Sequence, residues 1–134
     1  MNRIIKNKNE IIEYFEKGSK PKQHWKIGTE HEKFLYNLNT LQPIDYYGKN
    51  GVKSLFKLLK KKGWKEIIEN SNSIALKKKD STISLEPRCQ IELSGGKVKT
   101  IHQTCRQAKT YLDELKTICI KKKIGILGMG YYPI

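Results

Sequence analysis

The chain has 134 residues, the length of a single domain that can bury a hydrophobic core. Three cysteines without a C-x-x-C spacing exclude a disulfide framework and a four-cysteine zinc site. The first residues mix Glu with Lys and lack the apolar core of a signal peptide, so we expect a cytoplasmic protein without a membrane partner.

The net charge of +14 raises the possibility of a nucleic-acid partner. Only three of the 27 basic residues are Arg, however, whereas recognition of phosphates and base edges favours the bidentate guanidinium. The lysine runs at 77–79 and 121–123 also lack interleaved aromatic residues. A basic nucleic-acid-binding module is therefore kept only as an alternative.

The first predicted helix covers residues 2–17. Its apolar residues recur at roughly helical spacing and are Ile4, Ile5, Ile11, Ile12 and Phe15. Gly18 follows as a helix stop, and Pro21 prevents any continuation.

Residues 25–38 are predicted to form a strand. Period-2 alternation places Glu30 and Glu32 on one face, with Phe34, and His31 on the other. Because His31 points away from the two glutamates, we interpret it as a structural residue and not as a metal ligand.

The middle of the chain reads as a helix followed by strands. Residues 51–62 carry an apolar stripe that ends at Gly63, which predicts a second helix. Residues 73–87 predict a hairpin with its turn near Lys79 and Asp80. The strand signal resumes after Pro87. If that strand runs through without a bulge, Glu86, Gln90 and Glu92 lie on one face.

The last third reads as a long helix and a final strand. Residues 100–123 follow a helical apolar stripe, and Thr100 with Gln103 forms a potential capping box. Gly125 is predicted to close this helix, and residues 126–132 to form the last strand.

Four glutamates therefore occupy same-face strand positions: Glu30, Glu32, Glu86 and Glu92. Glutamate is depleted in strands, so this set is not expected from surface residues that merely balance a basic chain. Carboxylate-only ligation favours Mg²⁺, which often shares its coordination with substrate phosphates. A zinc site built from Cys89, Cys105, His31 and His102 has no supporting spacing.

Four segments carry a family resemblance: "KIGTEHEKF", "SLEPRCQIELSG", "TIHQTC" and "GILGMGYYP". Their order and spacing resemble the N-terminal part of plant and proteobacterial glutamate–cysteine ligases, over roughly residues 20–134. The resemblance implies an α+β chain with a partial glutamine-synthetase-like (carboxylate-amine ligase) fold, in which an antiparallel sheet with flanking helices lines the active site.

The same resemblance implies an activity and a set of ligands. Enzymes of this family use ATP to phosphorylate the γ-carboxyl of glutamate, and the amine of cysteine then attacks the acyl phosphate, the first step of glutathione synthesis. Matched by position, Glu30, Glu32, Glu86 and Glu92 are expected to hold Mg²⁺, and Gln90 to help position a substrate. No catalytic residue is assigned.

The chain departs from the family pattern in two ways. Arg88 and Cys89 stand where the family has Gly-Gly, and Arg88 places a cation beside the expected metal ligands. The family's enzymes are also several hundred residues long. We therefore expect residues 1–134 to be a single N-terminal segment of the catalytic domain, completed by a C-terminal remainder, and an inactive truncated relic is the other alternative.

Overall fold

The computed structural model describes residues 4–131, which form a six-stranded antiparallel sheet with two of the three α-helices against one face. The helices are α1 (Lys8–Gly18), α2 (Val52–Lys60) and α3 (Ile101–Lys122). The strands are β1 (Glu30–Asn37), β2 (Lys65–Glu69), β3 (Asn72–Lys78), β4 (Ser81–Glu86), β5 (Gln90–Ser94) and β6 (Ile124–Leu127). The spatial order is β2-β3-β4-β5-β1-β6, and the predicted α+β class with an antiparallel sheet is confirmed.

The hydrophobic core lies between the sheet and helices α2 and α3. From α2, Leu55, Phe56 and Leu59 are fully buried, as the apolar stripe predicted. They share one cluster with side chains of α3 and with alternate residues of the strands, including Leu76, Ile83, Ile91 and Leu115. The inward residues of β5 are Ile91 and Leu93, so Gln90 and Glu92 must project from the other side of the sheet.

Helix α1 differs from its prediction. It begins at Lys8, because the Asn7 side chain accepts a hydrogen bond from the Glu10 backbone N–H and caps the helix there. Ile4 and Ile5 therefore precede the helix, and residues 2–3 lie outside the described part of the chain. The helix ends at Gly18, as predicted, and none of its residues is buried.

The predicted hairpin turn at Lys79 and Asp80 is confirmed, since it joins β3 to β4. The predicted strand after Pro87 is present as β5, but it is not continuous with β4, which was the condition set for the shared face. A single turn of 3₁₀ helix at Pro87–Cys89 reverses the chain, so β4 and β5 form a second hairpin. Strand β2, at the start of the sheet, was not predicted, because its short sequence KEIIE alternates only weakly between polar and apolar residues.

The C-terminal helix and strand are present, but their bounds differ from the prediction. The Thr100–Gln103 capping box is present, but α3 ends at Lys122 with Lys123 in the left-handed conformation, not at Gly125. Gly125 belongs to β6, where the ring of Tyr36 occupies the space that a side chain would need. Strand β6 ends at Leu127, before the predicted end at residue 132, which lies outside the described part.

Candidate functional site

The open face of the sheet carries the predicted site residues. Strands β1 and β5 pair so that Glu32 lies directly opposite Glu92 and Glu30 opposite Ser94. Opposed residues of an antiparallel pair project from the same face with Cβ atoms about 5 Å apart. The register therefore places the carboxylates of Glu32 and Glu92 side by side.

Hydrogen bonds fix both members of this carboxylate pair. The Gln90 side-chain amide, only 8% exposed, donates from Nε2 to Glu32 Oε2 at 3.0 Å. The Ser94 hydroxyl donates to Glu92 Oε1 at 2.9 Å. Each donor leaves the second oxygen of its carboxylate available, so the pair is oriented without being fully occupied.

Glu86 joins this face through the second hairpin. It pairs with Gln90, and Ser84 pairs with Glu92, so Glu86 lies diagonally from Glu92 on the same face. The predicted shared face of Glu86, Gln90 and Glu92 is therefore present, although the chain reverses between them. Glu30 takes the equivalent diagonal position on β1.

The turn between Glu86 and Gln90 has an uncommon backbone. Arg88 has φ 57° and ψ 33°, and Cys89 also has a φ of 57°. Glycine adopts this left-handed region readily, whereas other residues are strained there. Arg88 and Cys89, the two positions where the resemblance in sequence leads us to expect Gly-Gly, are thus the two residues of this turn in the left-handed conformation.

The donor set on this face fits a hard divalent cation. Its side chains offer carboxylate, amide and hydroxyl oxygens, and Mg²⁺ typically takes one or two carboxylates, keeping water or phosphate for its remaining positions. Among residues 4–131 no three His, Cys, Asp or Glu side chains converge closely enough to hold a metal alone. The face therefore suits a cation shared with a substrate, not a cage made of protein.

The residues of the alternative zinc set are dispersed. His31 projects toward the helix-covered side of the sheet, and its buried Nε2 has no hydrogen-bond partner in the described part. His102 and Cys105 are exposed on α3. Cys89 is half-buried, and burial, reinforced by the nearby charge of Asp45, raises the pKa of its thiol and disfavours the thiolate that a metal needs.

Sequence reasoning missed two features of the open face. Ser94 continues the alternation of Gln90 and Glu92 by one step, and this continuation is the signal that would have identified it. Lys65 and Lys77 also lie on this face. Lys77 had been read only as part of a lysine run, whereas the strand alternation separates it from Lys78, which contacts Trp64 and Glu114 on the other side.

Comparison of the sequence with known proteins identifies a family. The model of the family described as glutamate-cysteine ligase family 2 matches residues 26–134. Glutamate–cysteine ligase A, chloroplastic, of Oryza sativa subsp. japonica is 40% identical over 127 residues, which cover 94% of this chain and 25% of that protein. The chloroplastic glutamate–cysteine ligase of Brassica juncea is 39% identical over 126 residues, covering 94% of this chain and 24% of that protein.

The chloroplastic glutamate–cysteine ligase of Arabidopsis thaliana is 38% identical over 130 residues, covering 94% of this chain and 24% of its own length. The chain thus spans about a quarter of the length of the curated relatives it matches. No helix among residues 4–131 has the length and apolarity needed to cross a membrane. The match over residues 26–134 confirms the resemblance seen in the four sequence segments: the chain belongs to the glutamate–cysteine ligase family.

Proposed function

We propose that this chain contributes the metal-binding and phosphate-binding face of an ATP-dependent ligase that joins the γ-carboxyl of L-glutamate to the amine of L-cysteine, the first step of glutathione synthesis. The observation that carries the proposal is the opposed pair Glu32 and Glu92, held by Gln90 and Ser94 on the open face of the sheet. Family membership supplies the reaction class.

In the proposed reaction, a γ-carboxylate oxygen of glutamate attacks the terminal phosphorus of ATP, and ADP leaves. The amine nitrogen of cysteine then attacks the acyl carbon, inorganic phosphate leaves, and the nitrogen loses a proton. Both reactants of the first step are anions and repel each other. Bound Mg²⁺ would neutralise the phosphate charge and align the oxygens for in-line transfer.

The residues of the open face have separate roles in this scheme. Glu32 and Glu92 would provide the central carboxylates for Mg²⁺, with Glu30 and Glu86 at the diagonal positions. Gln90 orients Glu32 through its amide N–H, and we propose that its own carbonyl oxygen helps to position a substrate. A C-terminal remainder of the enzyme is the proposed partner that would close the site.

Calorimetric titration with Mg²⁺ tests the proposed ligands. Glu32→Gln and Glu92→Gln should each weaken Mg²⁺ binding at least about tenfold, because each removes one charged ligand. Glu69→Gln is the matched control, since it alters an exposed strand glutamate outside the set, and it should change the affinity by less than about twofold. Equal affinities of all four proteins would refute the metal site.

ADP release from ATP, glutamate and cysteine tests the activity itself. The assay is run on the chain alone and with the C-terminal part of a related ligase added in trans. ADP release that needs both parts and is lost in Glu92→Gln supports the proposal. No ADP release by the combined parts, despite normal Mg²⁺ binding, would instead favour an inactive relic.

A further inference from the structure

Two lysines lie at the outer end of the open face, and a third, Lys79, follows in the turn between β3 and β4. Lys65 on β2 lies directly opposite Lys77 on β3, and Lys77 in turn lies opposite Thr82 on β4. Thr82 pairs with Ser94 on β5, and Ser94 with Glu30 on β1. One cross-strand row therefore runs from two lysines, over two short hydroxyl side chains, to a glutamate of the proposed metal site.

The lysine pair is an unfavourable arrangement for the folded chain alone. Like charges directly opposite on neighbouring strands repel each other and destabilise the sheet. Both side chains are exposed, and neither forms an ion pair within the described part of the chain. The neighbouring glutamate on β2, Glu66, is engaged by Lys60 from α2 and does not neutralise them.

These lysines also border a hollow. A cavity of about 430 Å³ is lined by Gly63 and Ile67, by Lys65, Lys77 and Lys79, and by Glu66, whose carboxylate is paired with Lys60. Lys78 reaches this hollow too, but its ammonium group is bound to Glu114 at 2.7 Å. Three lysines from two strands and a turn, none of them in an ion pair within residues 4–131, thus line one concave surface, where the single carboxylate is already paired.

We propose that Lys65, Lys77 and Lys79 form a polyphosphate-binding site. Lysine ammonium groups are compact point charges that bind phosphate oxygens without a fixed orientation, which suits a flexible phosphate chain. The surface between this site and the glutamates is made of short side chains, namely Ala75, Thr82, Ser84 and Ser94, so no bulky group separates the two.

The spacing suits one extended ligand. Lys77 on β3 is separated from Glu92 on β5 by two strand spacings, or about 10 Å across the sheet. A nucleoside triphosphate whose metal-bound end lies at the glutamates would direct the rest of its phosphate chain toward the lysines. This assignment to a nucleotide rests on the proposed function, whereas the lysine site itself does not.

Isothermal titration with tripolyphosphate, in low salt and without divalent cations, tests the site. The triple variant Lys65→Gln, Lys77→Gln, Lys79→Gln should bind at least about tenfold more weakly than the unaltered chain. The control triple variant lowers the net charge equally, from +14 to +11, at exposed helical positions: Lys57→Gln, Lys116→Gln, Lys121→Gln.

The control should lose less than about twofold in affinity, and an equal loss in both triple variants would overturn the proposal.

Thermal unfolding of Lys77→Gln gives a second readout, because removal of one like charge should leave the unfolding midpoint unchanged or higher. These titrations contain no Mg²⁺, so they are independent of the proposed metal site, and Glu32→Gln should bind tripolyphosphate normally even if that site is refuted. A loss of affinity in Glu32→Gln as large as that of the lysine variant would overturn the lysine site.

Discussion

Substitution of Arg88 by glycine should stabilise the chain, although it removes a whole side chain. Arg88 has φ 57° and ψ 33° in the turn between β4 and β5. A residue with a Cβ atom loses roughly 1–2 kcal/mol in this left-handed conformation. Glycine removes that strain but adds roughly 0.4–1 kcal/mol of conformational entropy to the unfolded chain. For the backbone, the difference is a stabilisation of about 0.5–1 kcal/mol, and contacts of the exposed Arg88 side chain should offset little of it.

Thermal and urea unfolding followed by circular dichroism measure this difference. For a domain of this size the expected gain corresponds to a rise in the unfolding midpoint of about 3 °C. Lys57→Gly is the control, because it places glycine at an exposed site in α2 and should lose about 1 kcal/mol. A loss of similar size in Arg88→Gly would refute the assignment of strain to this turn.

Cys89 separates strain from packing in the same turn. Its φ is also 57°, but its half-buried side chain packs against the hydrophobic core. In Cys89→Gly the relief of backbone strain should therefore be offset by the loss of buried apolar surface, and the free energy of unfolding should change by about zero. A gain as large as that of Arg88→Gly would show that the thiol contributes little to the core.

Three further predictions address cation binding, pH and packing. Replacement of both Arg88 and Cys89 by glycine should tighten Mg²⁺ binding, because a permanent cation leaves the turn beside Glu86; equal affinities in calorimetry would contradict this. Burial raises the pKa of the Cys119 thiol to about 12, so the unfolded chain loses this proton first and stability falls as pH rises from about 9 toward 12. Between pH 9 and 10.5 the free energy of unfolding in urea should fall by roughly 1–2 kcal/mol more in the unaltered chain than in Cys119→Ala. The same pH dependence in both proteins would show that Cys119 is not the cause. Gly125→Ala should destabilise by roughly 1–3 kcal/mol, since its methyl group would overlap an aromatic ring, whereas Gly28→Ala, with open space around it, should stay within about 0.5 kcal/mol in the same assay.

The sequence predicted elements well where one periodicity extended over many residues. Helices α2 and α3 follow clear apolar stripes, and the capping box at Thr100 marks the start of α3 within one residue. Alternation in β1 also separated His31 from the two neighbouring glutamates, as the register confirms. In each case local side-chain spacing alone determines which residues face the core.

The errors arose where tertiary contacts or backbone conformation override local pattern. Gly125 looks like a helix stop, but it is required because a neighbouring aromatic ring packs on the strand backbone. The reversal at Pro87–Cys89 was hidden because Arg88 and Cys89 are not typical left-handed residues. Helix α1 was predicted to start too early, because the apolar residues used to define it are exposed and their spacing therefore does not reflect packing against a core.

The candidate site was predicted in its composition but not in its arrangement. Alternation identified the face of each glutamate, whereas the opposition of Glu32 and Glu92 depends on how β1 and β5 align. That alignment joins segments about 60 residues apart, and no local signal specifies it. The role of the four glutamates as Mg²⁺ ligands and of Gln90 at a substrate remains a prediction, and the titrations above test it for Glu32 and Glu92.

The position of β5 in the sheet determines how the site can respond to a ligand. This strand has β4 on one side and β1 on the other, and Ile91 and Leu93 anchor it from below. Its amide hydrogens should therefore exchange with solvent as slowly as those of any segment in the described chain. Glu92 is carried by this central strand, so the proposed cation binding would require only rotation about side-chain bonds and would incur little loss of backbone entropy.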